Sequence, residues 1–371
     1  MAEEKNKNEY STGFGADAFN SLPDFDSLSR VNVEKTEKPV ETNTLQNDEN
    51  EVMSEPQEKA VEKVKKNKGF KIICAVLIVA IVCTVGVSAF NVVNYFSTSY
   101  SEKNTEEAGY NAYNEMNANY PSATYPKGIM NKFTKLYAAN DEVAGWLYVP
   151  GTNINTPVLQ NKSDDYYLRH DFFGEYTNYG QTYLASGCKK DGLSKNTVIY
   201  GHNMPSGTHF YDINRFEDIE WYKKHPVIKY STLTGDYTFL IYTSFYATVT
   251  PSDDNNYAFN YIYPNMSDSN FEGFIKQVDE RALYKTGVSL KRSDKVICVS
   301  TCNHTYDGMC GKKVDTRLVV IGRLLRGNES ENVDTSKTKE NPDYRKPQVY
   351  YSHVGKTNPY AKSAKWQPSS K

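Results

Sequence analysis

Hydrophobic and polar positions divide this chain into distinct regimes. From Ile72 to Val93 the sequence reads IICAVLIVAIVCTVGVSAFNVV, 22 residues with no charge and one Asn. As a helix that run spans about 33 Å, enough to cross a bilayer core of about 30 Å. It begins far from the N-terminus, so the expectation is an uncleaved anchor rather than a secretory signal peptide. Residues 1–71 are rich in Asn, Ser, Thr and Glu and show little periodicity, the composition of a disordered leader. Residues 94–128 are polar and rich in Tyr, Asn and Glu. They predict a stalk, helical around Glu106–Ala118 and broken near Pro121 and Pro126.

From Ile129 the pattern changes to short apolar segments. Ile129–Ala139 predicts an amphipathic helix. Val143–Val149 and Asn155–Leu159 predict strands around Pro150-Gly151, followed by strands at Gln181–Ala185 and Thr197–Tyr200. Ile213–Lys224 predicts one helix, stopped by His225-Pro226. Val227–Thr232 and Tyr237–Val249 predict a hairpin about Thr234-Gly235-Asp236. Phe271–Leu283 has helical spacing, and Lys295–Thr301 and Leu318–Leu325 are apolar strands. Many strands with few helices predict a mainly β fold, a closed or nearly closed barrel with helical insertions, over 129–326. Residues 327–371 are polar again and predict a tail with little fixed structure.

Charge sets the orientation of the anchor. Lys59, Lys63, Lys65, Lys66, Lys68 and Lys71 precede it with Glu62 among them, whereas Glu102, Glu106 and Glu107 follow it with Lys103. The positive-inside rule then puts the N-terminus in the cytoplasm and the large domain outside. Overall the charges nearly cancel, 43 Lys+Arg against 45 Asp+Glu, which argues against a dedicated nucleic-acid binder. Six cysteines are too few for a disulfide scaffold.

One cysteine stands apart. Cys302 ends the run Val296-Ile297-Cys298-Val299-Ser300-Thr301-Cys302, and a strand ending in small polar residues and then Cys delivers a thiol to a sheet rim. An inert buried Cys would also fit the strand taken alone. Cys298, Cys302, His304 and Cys310 resemble a zinc cluster in composition, but Cys298 and Cys302 lie about 13 Å apart on a strand, too far for one ion. No metal and no cofactor is expected. A thiol nucleophile needs a base and an oxyanion partner. Among the six histidines, His225 precedes Pro226 and looks structural, His353 is in the tail, His209 sits in a Gly-rich loop, His170 is in a turn and His304 is two residues from Cys302. His202 has the best setting, because Ile199-Tyr200-Gly201-His202-Asn203-Met204 opens from a strand end as Cys302 does. Arg317 and Arg323 share the last strand about 20 Å apart. Arg317 starts that strand, so antiparallel pairing would bring it to the rim of Cys302.

At these residues the sequence resembles the sortase family, class B most closely. The resemblance is carried by WLYVPGTNINTPVLQ from Trp146 to Gln160, by Asp165–Phe172, by NTVIYGHNM from Asn196 to Met204, by Ser300-Thr301-Cys302 and by Arg317-Leu318-Val319-Val320. It covers about residues 130–326. It implies an eight-stranded sortase-type β-barrel with N-terminal helices and an inserted helix, here Phe271–Leu283. It also implies a membrane-anchored cysteine transpeptidase of Gram-positive bacteria that joins surface proteins to the cell wall. By resemblance Cys302 is the nucleophile, His202 the acid/base and Arg317 the oxyanion or substrate clamp. The implied partners are surface proteins bearing a sorting motif, a peptidoglycan precursor or cross-bridge amine, and the lipid bilayer. Two alternatives remain open, an endopeptidase that only hydrolyses and a non-catalytic module that binds wall peptides; the intact Cys302, His202 and Arg317 weigh against the second. The stretch from Cys302 to Arg317, long for the family, leaves room for a lid or a Cys302–Cys310 disulfide.

Overall fold

A computed structural model describes residues 68–115 and 124–368 of the chain. The leader reading falls outside the described residues over 1–67; its last four residues, 68–71, are helical instead, as the start of the first described element. The first described element is a single helix, α1, Lys68–Glu115. Its segment Ile72–Asn94 has mean hydropathy 2.9 and none of it is buried, as expected of a helix built to meet lipid rather than protein. The helical part of the stalk expected around Glu106–Ala118 is, as far as Glu115, the continuation of α1; residues 116–118 lie outside the described residues. Nothing between Asn94 and Glu115 interrupts the helix, because the segment lacks Pro and Gly109 is its one glycine.

Eight strands form the second body: β1 Val143–Tyr148, β2 Asn155–Leu159, β3 Tyr183–Leu184, β4 Asn196–Tyr200, β5 Val227–Thr232, β6 Gly235–Thr248, β8 Val296–Asn303 and β9 Thr316–Leu324. They close in the order β1-β2-β3-β4-β8-β9-β6-β5, with β5 returning to β1. A two-residue strand, β7 (Tyr284–Lys285), lies outside the barrel. The mainly β, eight-stranded barrel is therefore the observed fold. Closure leaves no free sheet edge, which suits strands as apolar as β8 and β9. Val296–Thr301 and Leu318–Ile321 are almost fully buried. Unbroken burial along a strand means that both of its faces are covered.

Helices flank the barrel. α2 (Asn131–Ala139) precedes β1 and buries Phe133 and Leu136, three residues apart on one face. The expected helix over Ile213–Lys224 is broken into α3 (Tyr211–Asn214), a 3₁₀ turn at Arg215–Glu217 and α4 (Ile219–Lys224). Asp218 is the cause. Its backbone is extended and its carboxylate accepts the Glu220 N–H at 2.8 Å, so it caps a new helix instead of continuing the old one. α4 ends at His225 before Pro226, as the sequence predicts. The inserted helix α5 (Asp268–Arg281) buries Phe271, Phe274 and Val278 and is capped by Ser267. The β5–β6 turn sits one residue earlier than expected, at Leu233-Thr234, since Thr232 pairs with Gly235. The strand expected over Gln181–Ala185 shrinks to β3, which has one register partner in β2 and two in β4.

The C-terminal residues also depart from expectation. Residues 327–368 hold a 3₁₀ turn at Thr335–Lys337, β10 (Lys339–Glu340, paired with β7) and α6 (Gln348–His353). Few aliphatic residues mark this stretch in the sequence. It is anchored instead by aromatics and a buried cation: Trp366 packs 5.8 Å from both Phe259 and Phe274, and Arg345 pairs with Glu280 at 3.0 Å.

Strand direction decides where chemistry can occur. β4 and β8 run parallel, with Tyr200 opposite Ser300, so both leave the barrel at the same rim. β9 runs antiparallel to β8 and starts at that rim.

Candidate active site

Three strand ends meet at this rim. Cys302 sits directly opposite Arg317 in the β8–β9 register, which puts their side chains on one face with Cβ atoms about 5 Å apart. His202 follows β4 by two residues, in the loop that leaves the neighbouring parallel strand at the same rim. The three residues singled out in the sequence are thus brought together. The loop after β4 is tied to β8 by three hydrogen bonds. Gly201 N–H donates to the Ser300 carbonyl at 3.2 Å, the Thr301 hydroxyl to the Gly201 carbonyl at 2.8 Å and the Asn203 amide to the Cys302 carbonyl at 3.1 Å. Gly201 is required here, because a Cβ would lie 2.7 Å from the Phe210 ring. Phe210 in turn donates its N–H to the His202 carbonyl at 2.8 Å.

His202 Nε2–H donates to the Leu168 carbonyl at 3.0 Å. A carbonyl only accepts, so the neutral ring carries its proton on Nε2 and leaves Nδ1 as the basic nitrogen. Burial lowers the imidazole's pKa, the Leu168 carbonyl opposes that shift, and the cations Arg169 and Arg317 add to it. Burial raises the Cys302 thiol; Arg317 pulls it down, Asp315 pushes it up and Lys313 pulls it down. Both shifts favour the uncharged forms, a thiol on Cys302 and a neutral imidazole on His202. Alkylation of Cys302 by iodoacetamide should therefore be slower at neutral pH than for an unburied thiol. Its rate should still be climbing as pH passes the ordinary thiol value of 9.0. A rate that levels off near pH 7 would mean a preformed thiolate.

Arg317 is buried, and its guanidinium is gripped edge-on by Asp315. Nη2 donates to Oδ2 at 3.2 Å, Nη1 donates to Oδ1, and Nη1 also reaches the Thr316 carbonyl at 3.1 Å. This fork fixes the plane of the cation. Arg323 lies at the far end of β9, opposite Val296, and is bound to Glu329 at 2.5 and 3.0 Å.

The other candidates have other partners. His170 stacks on Tyr166 at 4.0 Å, His225 bonds the Pro150 carbonyl at 2.9 Å, and exposed His304 pairs with Asp307 at 2.9 Å. Cys188 and Cys298 are buried, and burial drives both thiols upward, Cys188 to about 12. The Cys302–Cys310 disulfide for which the long loop leaves room is not formed; Cys310 Sγ lies 3.6 Å from the Val349 carbonyl, and both cysteines are free thiols.

Sequence reasoning missed the groups that orient the trio. Asp315 carries a signal, since it stands two residues before Arg317 and i, i+2 residues of an extended chain share a face. Leu168 carries none, because a carbonyl acts regardless of residue type. His209 is buried beside His202, and burial holds its imidazole down to about 3, hence neutral. A cavity of about 270 Å³ opens next to Tyr200, lined also by Asp164, Ser186, Asn260 and Tyr263. The arrangement offers a nucleophile, a base with a fixed tautomer and a fixed cation, the parts needed for acyl transfer through a thiol.

Comparison with known proteins points the same way. A family model described as Sortase domain matches residues 147–325. Sortase B of Listeria monocytogenes is 30% identical over 200 residues, covering 53% of this chain and 75% of the relative. Sortase B of Staphylococcus aureus is 25% identical over 260 residues, covering 70% and 98%. The solved structure of sortase B from Bacillus anthracis in complex with AAEK1 matches with a TM-score of 0.51 and 25% identity, covering 62% of this chain and 99% of that one.

Proposed function

The chain belongs to the sortase family of cysteine transpeptidases, and from that membership we propose that it cuts a sorting signal after a Thr and transfers the upstream protein to a cell-wall amine. The observation that carries this reading is the alignment of Cys302 with Arg317 across β8 and β9, beside the His202 loop.

His202 Nδ1 takes the Cys302 proton, and the thiolate attacks the Thr carbonyl. The tetrahedral oxyanion lies toward Arg317, whose charge is fixed before the reaction begins. His202 then gives its proton to the leaving amine, the C–N bond breaks and a thioester remains on Cys302. An incoming cell-wall amine loses its proton to His202 and attacks the thioester. The amide product forms, and Cys302 leaves as thiolate and regains the proton. Water in place of the amine would give hydrolysis through the same intermediate.

Membrane attachment suits this activity. The apolar segment Ile72–Asn94 is long enough to span a bilayer once. Its lysine-rich leading flank argues for a cytoplasmic N-terminus and an extracellular barrel. Protease added to intact cells should then remove the barrel; full protection would reverse the orientation.

The function is tested with the full-length chain in detergent, a library of sorting-signal peptides and a set of amine acceptors. The expected product is the peptide's N-terminal fragment joined to the amine. Cleavage without any amide product, whatever the acceptor, would favour the hydrolase.

A further inference from the structure

The chain beyond the barrel takes an unexpected route. β9 begins at the catalytic rim and ends at Leu324, eight residues on and about 26 Å away. All eight barrel strands are in place by then. Yet the chain comes back. β10 pairs with β7, Arg345 reaches Glu280 and Asp254, and α6 rests on the 3₁₀ turn Met309–Gly311. That turn lies in the loop 304–315, which joins the strand of Cys302 to the strand of Arg317.

Within the loop, backbone turns such as Gly308 N–H to the Lys312 carbonyl at 3.0 Å, and the Val314 N–H to Asp307 Oδ1 at 2.9 Å, set its local shape, but they do not cover its apolar side chains. Gly308, Cys310 and Gly311 all have left-handed backbone, with φ of 80°, 53° and 70°. Its apolar side chains need outside cover. Tyr306 and Val314, each 1% exposed, form a cluster with Val349, and Tyr246, Met309 and Tyr350 pack against it. The Cys310 N–H donates to His353 Nδ1 at 3.3 Å, and the Cys310 thiol to the Val349 carbonyl at 3.6 Å. Two neighbouring buried carboxylates extend the tie. Asp253 binds Lys312 of the loop, while Asp254 accepts the Gln348 N–H at 3.1 Å and pairs with Arg345. Further on, Trp366 fills the space over Gly273 of α5, where a Cβ would meet it at 2.3 Å.

The loop matters to the chemistry. Asp315, its last residue, grips Arg317, and the charge of Lys313 acts on the Cys302 thiol. We propose that residues 339–366 form a strap that holds the 304–315 loop, and through Asp315 the guanidinium of Arg317, in working position. Val349 and His353 are then positioning residues for the transpeptidation proposed above, and the effect on turnover rests on that reading.

The test compares the full-length wild type with the Val349→Ala/His353→Ala variant in detergent, using Cys302→Ala as the blank. In the double variant, amide hydrogen exchange over 304–315 should quicken about tenfold or more while the barrel strands stay protected. The kcat on a sorting peptide should fall about tenfold with KM changed less than about twofold, since a misplaced loop costs transition-state contacts more than ground-state binding. His353→Asn keeps an acceptor near the position of Nδ1 and should retain most of the activity, whereas His353→Leu should not. Wild-type exchange in the loop of the double variant would overturn the strap, and so would faster exchange spread over the whole barrel, which marks a general stability element. If the wild type turns over no sorting peptide, the transpeptidase reading fails, and the exchange measurement still decides the strap.

Discussion

Cys302→Ala should abolish cleavage of a sorting-signal peptide, with kcat/KM down by at least about three orders of magnitude, the scale seen when a covalent nucleophile is removed. The loss follows from position as well as chemistry. Among the described cysteines of the barrel, Cys302 alone stands opposite Arg317 at the rim where β4 and β8 end. Cys298 is four residues back on the same strand, wholly buried, with its thiol pushed far above its usual range. Cys188 is also buried, near the start of the loop into β4. Cys298→Ala and Cys188→Ala should therefore leave kcat within about threefold of wild type; their cost is core packing, about 1 kcal/mol of stability for each lost buried group. The assay is steady-state cleavage of a quenched peptide by all three variants. Activity in Cys302→Ala comparable to wild type would remove the thiol mechanism.

Arg317→Ala should lower kcat by about 10²- to 10³-fold, the range for removing one preorganised oxyanion donor. The guanidinium is buried and locked by Asp315 and the Thr316 carbonyl, so its charge is oriented before substrate arrives. Removing it also leaves the Asp315 carboxylate without its cation beside a thiol that must ionise, which raises the thiol further. Arg317→Lys should recover only part of the rate, because an ammonium cannot reproduce the planar fork. By contrast Arg323→Lys, at the other end of β9, should act on stability and not on kcat. The separation of kcat from thermal unfolding across these variants distinguishes a catalytic cation from a structural one.

Much of this site is legible in the sequence, for a definite physical reason. A strand end is marked by the residues themselves, as apolar runs give way to Gly201-His202 and to Ser300-Thr301-Cys302. Antiparallel pairing then follows for the last two strands, and it carries Arg317 to Cys302. What the sequence hides depends on groups whose role is unrelated to their type. The Leu168 carbonyl sets the tautomer of His202 and any residue could supply it. Asp218 reads as an ordinary helical residue, yet its backbone is extended. The strap at 339–366 looks polar because most of its anchors are Tyr, Trp and Arg, with Val349 an isolated aliphatic among them, and its partners lie far off in sequence, 39 positions for Cys310 with Val349 and 65 for Arg345 with Glu280. α1 continues past the lipid-length segment because nothing in its polar half stops it.

The most direct test is intact-mass analysis of the full-length chain mixed with a sorting peptide and no amine acceptor. One adduct is expected, equal to the peptide's N-terminal fragment held as a thioester and mapping to Cys302. Adding a cell-wall-type amine should discharge it into an amide of that fragment. Steady cleavage of the peptide in Cys302→Ala, or an adduct that maps to any other residue, would contradict the thioester mechanism.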